Sequence, residues 1–310
     1  MAANHYDVII IGGGPAGLTA GLYAGRGRFK TLLLEKLITG GQVMTTDHVD
    51  NYPGFPEGIA GFELSQRMRD QAERFGTEIR SAEVTGLKPG KPHHTVVLEG
   101  GEEVVGRTII IASGAQPRRA GFPGETEFTG KGVGYCATCD GALYRDETIA
   151  VVGGGDTALE DAMFLTRFAK KIYVIHRRDQ FRGAKLYQER VFASDKIEVI
   201  WDTTVTEIRG DRNVSGARLK NVKTGQESDL AVTGIFVFVG IQPITGWLSE
   251  GILDQDEFGF IRTNDEMATT IPGIFAAGDV RVKFLRQIST AVGDGAVAAF
   301  SAEKYLEEQH

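Results

Sequence analysis

A chain of 310 residues is long enough for one large or two medium-sized domains, and its 42% hydrophobic and 24% charged residues are ordinary for a globular protein. The net charge of −7 argues against a general nucleic-acid binder, because such proteins usually present a basic surface. No apolar run approaches the roughly 18 residues that span a bilayer, and the start "MAANHYDVIIIGGG" lacks the basic region and cleavage site of a signal peptide. We therefore expect a cytoplasmic protein with neither a membrane nor a nucleic-acid partner.

The first predicted elements are a strand, a glycine-rich turn and a helix, within "YDVIIIGGGPAGLTAGLYAGR". The β-branched run at 8–11 is typical of a buried parallel strand, and Gly12, Gly14 and Gly17 follow it in the pattern G-x-G-x-x-G. These glycines permit a tight turn, close approach of the backbone to a pyrophosphate, and close packing of helix on strand. The next strand, "TLLLEK", ends in Glu35, where an acidic residue binds ribose hydroxyls. The stretch predicts a dinucleotide site.

A strand that ends in small residues, "RTIIIASGA" at 107–115, is typical of the return strand before a chain crosses into another domain. The segment "GAQPRR" at 114–119 follows, and "GIQPITG" recurs at 240–246. A Gln-Pro pair close to glycine suits a turn-rich hinge more than a helix. We therefore expect the chain to leave its first domain after residue 117 and to return to it at residue 244.

The only two cysteines, Cys136 and Cys139, lie in "GYCATCDG", and this spacing suits half a zinc site, a structural disulfide or a working dithiol. A structural zinc site needs four ligands, and the histidines at 5, 48, 93, 94, 176 and 310 include no suitably spaced pair. The pair at 93 and 94 is predicted to lie in a loop. Structural disulfides are uncommon in the cytoplasm. The residues therefore favour a dithiol and predict no metal site.

The strand, glycine turn, helix and strand recur in "TIAVVGGGDTALEDAMFLTRFAKKIYVIHRRDQFR", with Gly153, Gly155 and Ala158 at the fingerprint positions. Alanine is allowed in the third place, because that residue needs only to be small. Eighteen residues beyond it, where the first unit has an acid, this unit has "HRR" at 176–178, with Arg182 four residues further on. An acid would repel a 2′-phosphate, whereas guanidinium groups bind one through charge-assisted hydrogen bonds. The second unit is therefore predicted to prefer NADPH to NADH.

Two C-terminal segments complete the first unit. "IPGIFAAGDV" at 271–280 is a short buried strand that closes on Asp279, and "RQISTAVGDGAVAAFSAEKYL" at 286–306 is a helix whose small residues let a ring approach its N-terminus. Two dinucleotide sites of opposite ribose preference indicate one tightly held flavin and one exchanging nicotinamide. The predicted fold is α/β, with two Rossmann-like, three-layer ββα domains. A discontinuous FAD domain (1–117 and 244–310) contains an inserted NADPH domain (118–243) that carries the CxxC motif.

Over essentially all 310 residues the chain closely resembles the low-molecular-weight thioredoxin reductases, the short two-domain pyridine nucleotide-disulfide oxidoreductases of bacteria, archaea, fungi and plants. The resemblance rests on ordered motifs: "GGGPAGLTAGLYAGR", "GGQ" at 40–42, "NYPGFP" at 51–56, "CATCDG" at 136–141, "GGGDTA" at 153–158, "HRRDQFR" at 176–182, "AAGDV" at 276–280 and "RQISTAVGDG" at 286–295. It implies an FAD homodimer that passes electrons from NADPH through the flavin to the CxxC disulfide and then to the disulfide of thioredoxin.

The resemblance also implies roles for individual residues. Cys139 would face the flavin, Cys136 would attack thioredoxin and form the mixed disulfide, and Asp140 would protonate the flavin-side thiolate. The FAD contacts carried over are Gly12, Gly14, Pro15, Ala16, Gly17, Glu35, Gly41, Gln42, Asn51, Ala112, Gly114, Gly278, Asp279, Arg286, Gln287 and Ile288. The NADPH contacts carried over are Gly153, Gly155, Asp156, Thr157, Ala158, His176, Arg177, Arg178 and Arg182.

The cysteines precede the second glycine fingerprint, whereas larger relatives carry theirs after the first. One face of the flavin cannot hold both the nicotinamide and the dithiol of the same domain, so that domain is predicted to swing between two states. Two alternatives remain open. A reader of NADPH or redox state would bind both nucleotides without transferring electrons. A reductase of another dithiol carrier, such as a peroxiredoxin system or a glutaredoxin-like protein, would use the same chemistry on a different partner.

Overall fold

A computed structural model describes residues 5–46, 49 and 51–309. The strands are β1 (His5–Ile11), β2 (Thr31–Glu35), β3 (Glu78–Ser81), β4 (Val84–Lys88), β5 (His94–Leu98), β6 (Glu103–Ile111), β7 (Ala115–Pro117), β8 (Val133–Gly134), β9 (Thr148–Gly153), β10 (Lys171–Ile175), β11 (Ile197–Ile200), β12 (Thr203–Gly210), β13 (Val214–Asn221), β14 (Glu227–Leu230), β15 (Gly234–Phe238), β16 (Ile241–Pro243) and β17 (Ile274–Ala276). The α-helices are α1 (Pro15–Arg26), α2 (Gly61–Arg74), α3 (Ala137–Asp140), α4 (Asp156–Leu165), α5 (Lys185–Ala193) and α6 (Ile288–Glu308). His48 and His310, considered above as zinc ligands, lie outside the described residues.

The chain divides into two compact units: unit 1 is Met1–Gln116 with Gln242–His310, and unit 2 is Pro117–Ile241. These limits lie close to the predicted domain boundaries; which nucleotide each unit binds remains a prediction. The two connecting segments, predicted as turns, instead contain the short strands β7 and β16, which pair with each other. Gln116 and Gln242 each precede a proline, which biases them toward extended backbone, and extended segments that run side by side pair as strands.

Unit 1 is built on a parallel sheet of order β3-β2-β1-β6-β17. The long strand β6 also pairs at its start with the antiparallel hairpin β4–β5. Register places Ile11, Ile111 and Ala276 level with one another at the carboxyl ends of β1, β6 and β17. The segments that follow these three strands therefore meet at one edge of the sheet, where dinucleotides bind in such folds.

Unit 2 repeats the arrangement with a parallel sheet of order β11-β10-β9-β15-β8 and a separate antiparallel sheet, β12-β13-β14. Gly153 at the end of β9 is level with Phe238 at the end of β15. The predicted α/β fold with two Rossmann-like domains is confirmed. Within the part of the chain that the structure describes, no helix has the length and apolarity needed to cross a bilayer.

The core of unit 1 follows the two-residue period of its strands. On β1, Ile9 and Ile11 pack on one face of the sheet, whereas Val8 and Ile10 pack on the other face with residues of α1 and α6. Full burial of each such side chain contributes about 1.5–3 kcal/mol. Helices α1 and α6 approach so closely that a Cβ on Gly295 would lie 2.2 Å from the Ala16 carbonyl oxygen. The small-residue pattern of α6 therefore serves helix packing inside unit 1.

A half-buried carboxylate on α4, that of Asp161, is expected to give unit 2 a pH-dependent stability. Burial, helped by the neighbouring Glu160 carboxylate, raises the pKa of Asp161 to about 6. The folded state therefore binds this proton more tightly than the unfolded chain, so the contribution of Asp161 to stability falls as the pH rises from about 4 to about 6. We expect Asp161→Asn to raise the Tm by about 2–4 °C at neutral pH and by less near pH 4.5.

Differential scanning fluorimetry across this pH range measures the effect. Asp195→Asn, which changes an exposed aspartate of unit 2, is the control and should give a small Tm difference at every pH. A Tm gain for Asp161→Asn that is the same at neutral and at acid pH would contradict the assignment.

Candidate nucleotide-binding and redox sites

The first glycine loop joins β1 to α1 and contains Gly12 and Gly14, whereas Gly17, the third predicted fingerprint glycine, lies in the first turn of α1. Gly12 has φ +107°, and a Cβ on it would lie 2.4 Å from the Ala112 carbonyl oxygen. A Cβ on Gly17 would lie 1.9 Å from the Gly12 carbonyl oxygen. A Cβ on Gly14, by contrast, would meet no atom nearer than Gly41 Cα at 4.0 Å. The first and third glycines are therefore required by packing, and the second leaves an open cradle that fits a pyrophosphate at a helix N-terminus.

Two neighbouring segments hold this loop in place. The Glu35 carboxylate, at the end of β2, accepts hydrogen bonds from Gly13 N at 2.7 Å and from Leu37 N at 3.0 Å. Gly40 N donates to the Gly13 carbonyl oxygen at 2.7 Å, which lays the "GGQ" segment beside the loop. Glu35 therefore lies at the place where the fingerprint requires an acid, and its contact with ribose remains a prediction.

Predicted flavin contacts from distant parts of the sequence meet in unit 1. Asn51 Nδ2 donates to Gln287 Oε1 at 3.0 Å, and Gln287 is the residue that caps α6. Gln42 Nε2 donates to the Ala115 carbonyl oxygen at 2.9 Å. Of the remaining predicted contacts, Pro15 and Ala16 begin α1, Ala112 and Gly114 follow β6, Gly278 follows β17 and Ile288 begins α6.

Asp279 provides a test of whether unit 1 fits a bound cofactor. Its Oδ1 atom is buried and has no hydrogen-bond partner among the described residues. Burial raises the pKa of Asp279, whereas the positive charges of Lys283 and Arg286 act in the opposite direction. A buried acceptor without a donor is costly, so the site fits a ligand that brings a hydroxyl or N–H group to this oxygen. Arg286 stacks on Phe260, with its guanidinium carbon 4.2 Å from the ring centre.

The sequence reasoning missed an ion cluster that orders the segment after β17. Asp294, on α6, accepts from Gly278 N at 3.0 Å and pairs with Arg281 at 3.2 Å and with Lys283 at 2.7 Å. All three ionic side chains are largely buried. The signal in the sequence that could have revealed this cluster is an aspartate in a helix of mostly small and apolar residues, which follows two cationic residues in the chain.

The second glycine loop has the same construction. A Cβ on Gly153 would lie 2.6 Å from both the Ala158 Cβ and the Phe238 carbonyl oxygen, whereas a Cβ on Gly155 would meet nothing within 4 Å. The second position is again an open cradle. Asp156, the first residue of α4, accepts a hydrogen bond from Ala184 N at 2.7 Å, and Thr157 is exposed.

His176, predicted to contact the 2′-phosphate as part of the basic cluster, differs from the three arginines in its exposure, and its contact with the phosphate remains a prediction. His176 is only 6% exposed, and its ring packs against Gly154, Phe181 and Trp201. Burial, together with the charges of the nearby arginines, lowers the pKa of His176, which disfavours the positively charged form of the ring. Because His176 directly follows β10, its side chain points into the core, where the ring contacts Gly154 of the second glycine loop.

The three arginines of the cluster do lie at the surface. Arg177, Arg178 and Arg182 are exposed, and none forms an ion pair with any described residue. Arg182 N donates to the Gly154 carbonyl oxygen at 2.8 Å, which ties the cluster to the second glycine loop. Asp179, the acid within the motif, pairs with Lys223 at 3.0 Å. This pairing offsets the acid, so the positive charge of the arginines is left to attract an anion.

The two cysteines form a disulfide in unit 2, with their Cα atoms 5.3 Å apart. Cys136 immediately precedes α3, which contains Cys139, and both side chains are half-buried. The described residues contain no group of three or more side chains arranged to hold a metal ion.

His94, predicted to lie in a loop, instead begins β5 and is 2% exposed, because its register in the sheet opposite Gly106 places it in the core.

Asp140, the predicted acid–base residue, ends α3 directly after Cys139. It is half-buried, and its backbone N–H donates to the Cys136 carbonyl oxygen at 3.1 Å. Burial and the negative charge of Asp140 raise the pKa of Tyr144 to about 12. The Asp140 carboxylate is therefore adjacent to the disulfide along the chain and close enough to Tyr144 to act on its hydroxyl.

The two kinds of glycine position predict opposite phenotypes. Gly14→Ala places its Cβ in the open cradle, so we expect a folded protein with a Tm within about 3 °C of the wild type that purifies with at least about 10-fold less bound flavin. Gly17→Ala drives its Cβ into the Gly12 carbonyl oxygen, so we expect a loss of stability of at least about 3 kcal/mol or failure to fold. Flavin absorbance per chain and thermal unfolding measure both effects. Flavin retention in Gly14→Ala would contradict the cradle.

Comparisons with known proteins show the family to which the chain belongs. A family model described as pyridine nucleotide-disulphide oxidoreductase matches residues 6–295. The chain is 48% identical over 305 residues to a thioredoxin reductase of Listeria monocytogenes, which covers 98% of this chain and 94% of that protein. A Bacillus subtilis thioredoxin reductase is 45% identical over 304 residues, covering 98% and 95%. The crystal structure of a Streptococcus pyogenes thioredoxin reductase matches with a TM-score of 0.93 at 47% identity, covering 99% of this chain and 100% of that one.

Proposed function

Since the chain belongs to the pyridine nucleotide-disulphide oxidoreductases and, within them, to the thioredoxin reductases, we propose that it reduces the disulfide of thioredoxin with electrons from NADPH. The observation that carries the proposal is the Cys136–Cys139 disulfide, which lies in the same unit as a glycine loop flanked by exposed arginines. A disulfide carried by a nucleotide-binding unit suits the transfer of electrons to a second disulfide.

FAD and NADPH are the cofactors of this family. Bound FAD would supply the two-electron redox chemistry that links NADPH to the disulfide. We assign FAD to unit 1, where the cradle at Gly14, the N-terminus of α6 and the unpartnered Asp279 oxygen support the assignment. We assign NADPH to unit 2, supported by the cradle at Gly155 and the exposed arginines at 177, 178 and 182.

Once two electrons have opened the disulfide, the cysteines carry out thiol–disulfide exchange. The Cys136 thiolate attacks one sulfur of the thioredoxin disulfide; that S–S bond breaks, a mixed disulfide forms, and the leaving sulfur takes up a proton. The Cys139 thiolate then attacks Cys136 Sγ, which restores the Cys136–Cys139 disulfide and releases the second thioredoxin sulfur to be protonated. Each cycle consumes one NADPH and one proton and yields one dithiol.

In this proposal Asp140 holds the proton that is exchanged with Cys139 Sγ. Its place next to Cys139 in the chain and its half-buried position support this role, because a group that transfers a proton must lie within reach of the atom that takes it up.

The proposal extends to the working cycle and the assembly. The disulfide and the arginine cluster both belong to unit 2. Both the disulfide and the nicotinamide of the NADPH held by the arginines would exchange electrons with a flavin in unit 1, so unit 2 must alternate between two positions. We also propose that the protein is a cytoplasmic homodimer, as the sequence resemblance implies.

An exposed leucine beside the redox motif offers an apolar contact for a protein substrate. Leu143, four residues after Cys139, is 72% exposed, although burial of such a side chain is worth about 1.5–3 kcal/mol. We expect Leu143→Ser to raise the KM for thioredoxin about 10-fold with little change in kcat. Val222→Ser, which changes an exposed apolar residue elsewhere in unit 2, should leave the KM unchanged. An unaltered KM in Leu143→Ser would exclude this contact.

The direct test of the function is the consumption of NADPH by the purified flavoprotein, with and without oxidised thioredoxin. We expect rapid consumption only when thioredoxin is present. A protein that is reduced by NADPH but ignores thioredoxin, and instead turns over with a peroxiredoxin or a glutaredoxin-like protein, would establish the alternative partner. A protein whose disulfide exchanges with none of them would act as a non-catalytic reader.

A further inference from the structure

Unit 2 contains a buried carboxylate that the mechanism above does not use. Glu125 is only 1% exposed. Its Oε1 atom accepts from Ala120 N at 3.1 Å, and its Oε2 atom accepts from Gly121 N at 2.6 Å and from Phe122 N at 3.2 Å. Burying a carboxylate is strongly unfavourable unless its lone pairs are satisfied. Three backbone donors meet most of that requirement here and fold the segment at 120–122 around the carboxylate.

The fourth donor is the hydroxyl of Tyr135, which lies 2.9 Å from Glu125 Oε1. Burial and the Glu125 carboxylate raise the pKa of Tyr135 to about 12, so the hydroxyl keeps its proton and remains a donor at neutral pH. Tyr135 is the residue immediately before Cys136. The buried carboxylate is therefore joined through one side chain to the backbone that carries a reactive sulfur.

Tyr135 lies at the point where the chain leaves the sheet for the redox helix. The preceding residue, Gly134, is fixed by its pairing with Phe236 of β15, and Cys136 leads directly into α3. Glu125, the acceptor of the Tyr135 hydrogen bond, is in turn bonded to the segment at 120–122. This segment closely follows β7, the strand by which the chain passes into unit 2. The Tyr135–Glu125 bond thus joins the incoming end of the unit to its redox motif.

We propose that Glu125 and Tyr135 are positioning residues that hold the backbone of Cys136 in place for thiol–disulfide exchange. The inference rests on the proposed function, because it concerns how Cys136 is aimed at a partner disulfide. Exchange requires the attacking sulfur to approach along the axis of the S–S bond, and a misplacement of about 1 Å costs up to roughly 100-fold in rate. The Tyr135–Glu125 hydrogen bond limits the movement of the backbone at the residue next to the attacking thiolate.

Tyr135→Phe tests the proposal with a minimal change. It keeps the aromatic ring and leaves Glu125 its three backbone donors, so the protein should fold and bind flavin. We expect kcat with thioredoxin to fall at least about 5-fold, with the rate of flavin reduction by NADPH unchanged. In a Cys139→Ser background, alkylation of Cys136 by iodoacetamide should become at least about 3-fold faster, because a freed loop exposes the half-buried sulfur.

Two further variants separate positioning from general stability. Tyr173→Phe, which changes a half-buried tyrosine of β10 away from the cysteines, should leave both rates at wild-type values. Glu125→Gln also weakens the three backbone hydrogen bonds that Glu125 accepts, so it should lower kcat by itself. In the double variant the two losses of kcat should combine to less than their product, because the two side chains share one hydrogen bond. Wild-type values of kcat and of alkylation in Tyr135→Phe would overturn the inference. Alkylation needs no thioredoxin, so the inference remains testable if the wild type proves inactive with thioredoxin and the proposed function fails.

Discussion

Serine at either cysteine is expected to lower thioredoxin reduction by at least about 1,000-fold while NADPH still reduces the flavin. The exchange needs two thiolates, one to attack thioredoxin and one to resolve the mixed disulfide. Flavin reduction by NADPH needs neither thiolate, because the glycine cradles and the arginines proposed to bind the two nucleotides do not include Cys136 or Cys139. Steady-state turnover with thioredoxin and single-turnover flavin reduction measure the two halves separately.

The two variants should differ in what they trap. Cys139→Ser retains the attacking thiol, so it should accumulate a covalent adduct with thioredoxin on non-reducing gels, and Cys136→Ser should accumulate none. Each variant serves as the control for the other, because both lack one sulfur in the same motif. An adduct that forms with Cys136→Ser and not with Cys139→Ser would reverse the proposed roles.

Replacing both Arg177 and Arg178 by alanine should raise the KM for NADPH at least about 100-fold and change the KM for NADH by less than about 3-fold. A charge-assisted hydrogen bond is worth about 1.5–3 kcal/mol, and the 2′-phosphate that accepts it is absent from NADH. Both arginines are exposed, so their removal should not affect folding.

The measurement is steady-state kinetics with each nucleotide at a fixed thioredoxin concentration. Arg212→Ala, which removes an exposed arginine at another position in unit 2, is the matched control and should leave both KM values unchanged. An equal rise in the KM for NADPH and the KM for NADH in the double variant would show that the arginines do not bind the 2′-phosphate.

The nucleotide-binding halves of the fold were predictable because their determinants are local. A β-branched run, glycines at fixed spacing and a small-residue helix specify β1, its loop and α1 within about 20 residues. The steric roles of the glycines agree with the reasons given from the sequence, since Gly17 is closed in by Gly12 and Gly14 faces open space. The family followed from the same motifs and is confirmed by the full-length relatives.

What the sequence did not reveal depends on pairing across the fold. The antiparallel sheet β12–β14 has no local motif, because its strands are defined by their partners. His176 stands in a basic run and was therefore grouped with its neighbours, although the alternation along β10 turns its ring into the core. The bond between Glu125 and Tyr135 spans ten residues without any spacing rule, so only coordinates reveal it.

The proposed mechanism requires the Cys136–Cys139 disulfide to take up electrons from NADPH, and counting thiols tests this directly. The purified flavoprotein is mixed anaerobically with excess NADPH, alkylated under denaturing conditions, and analysed by mass spectrometry. We expect both cysteines to be unlabelled before NADPH is added and labelled afterwards, whereas NADH at the same concentration should lead to far slower labelling. Bleaching of the flavin with both cysteines still unlabelled would contradict the mechanism.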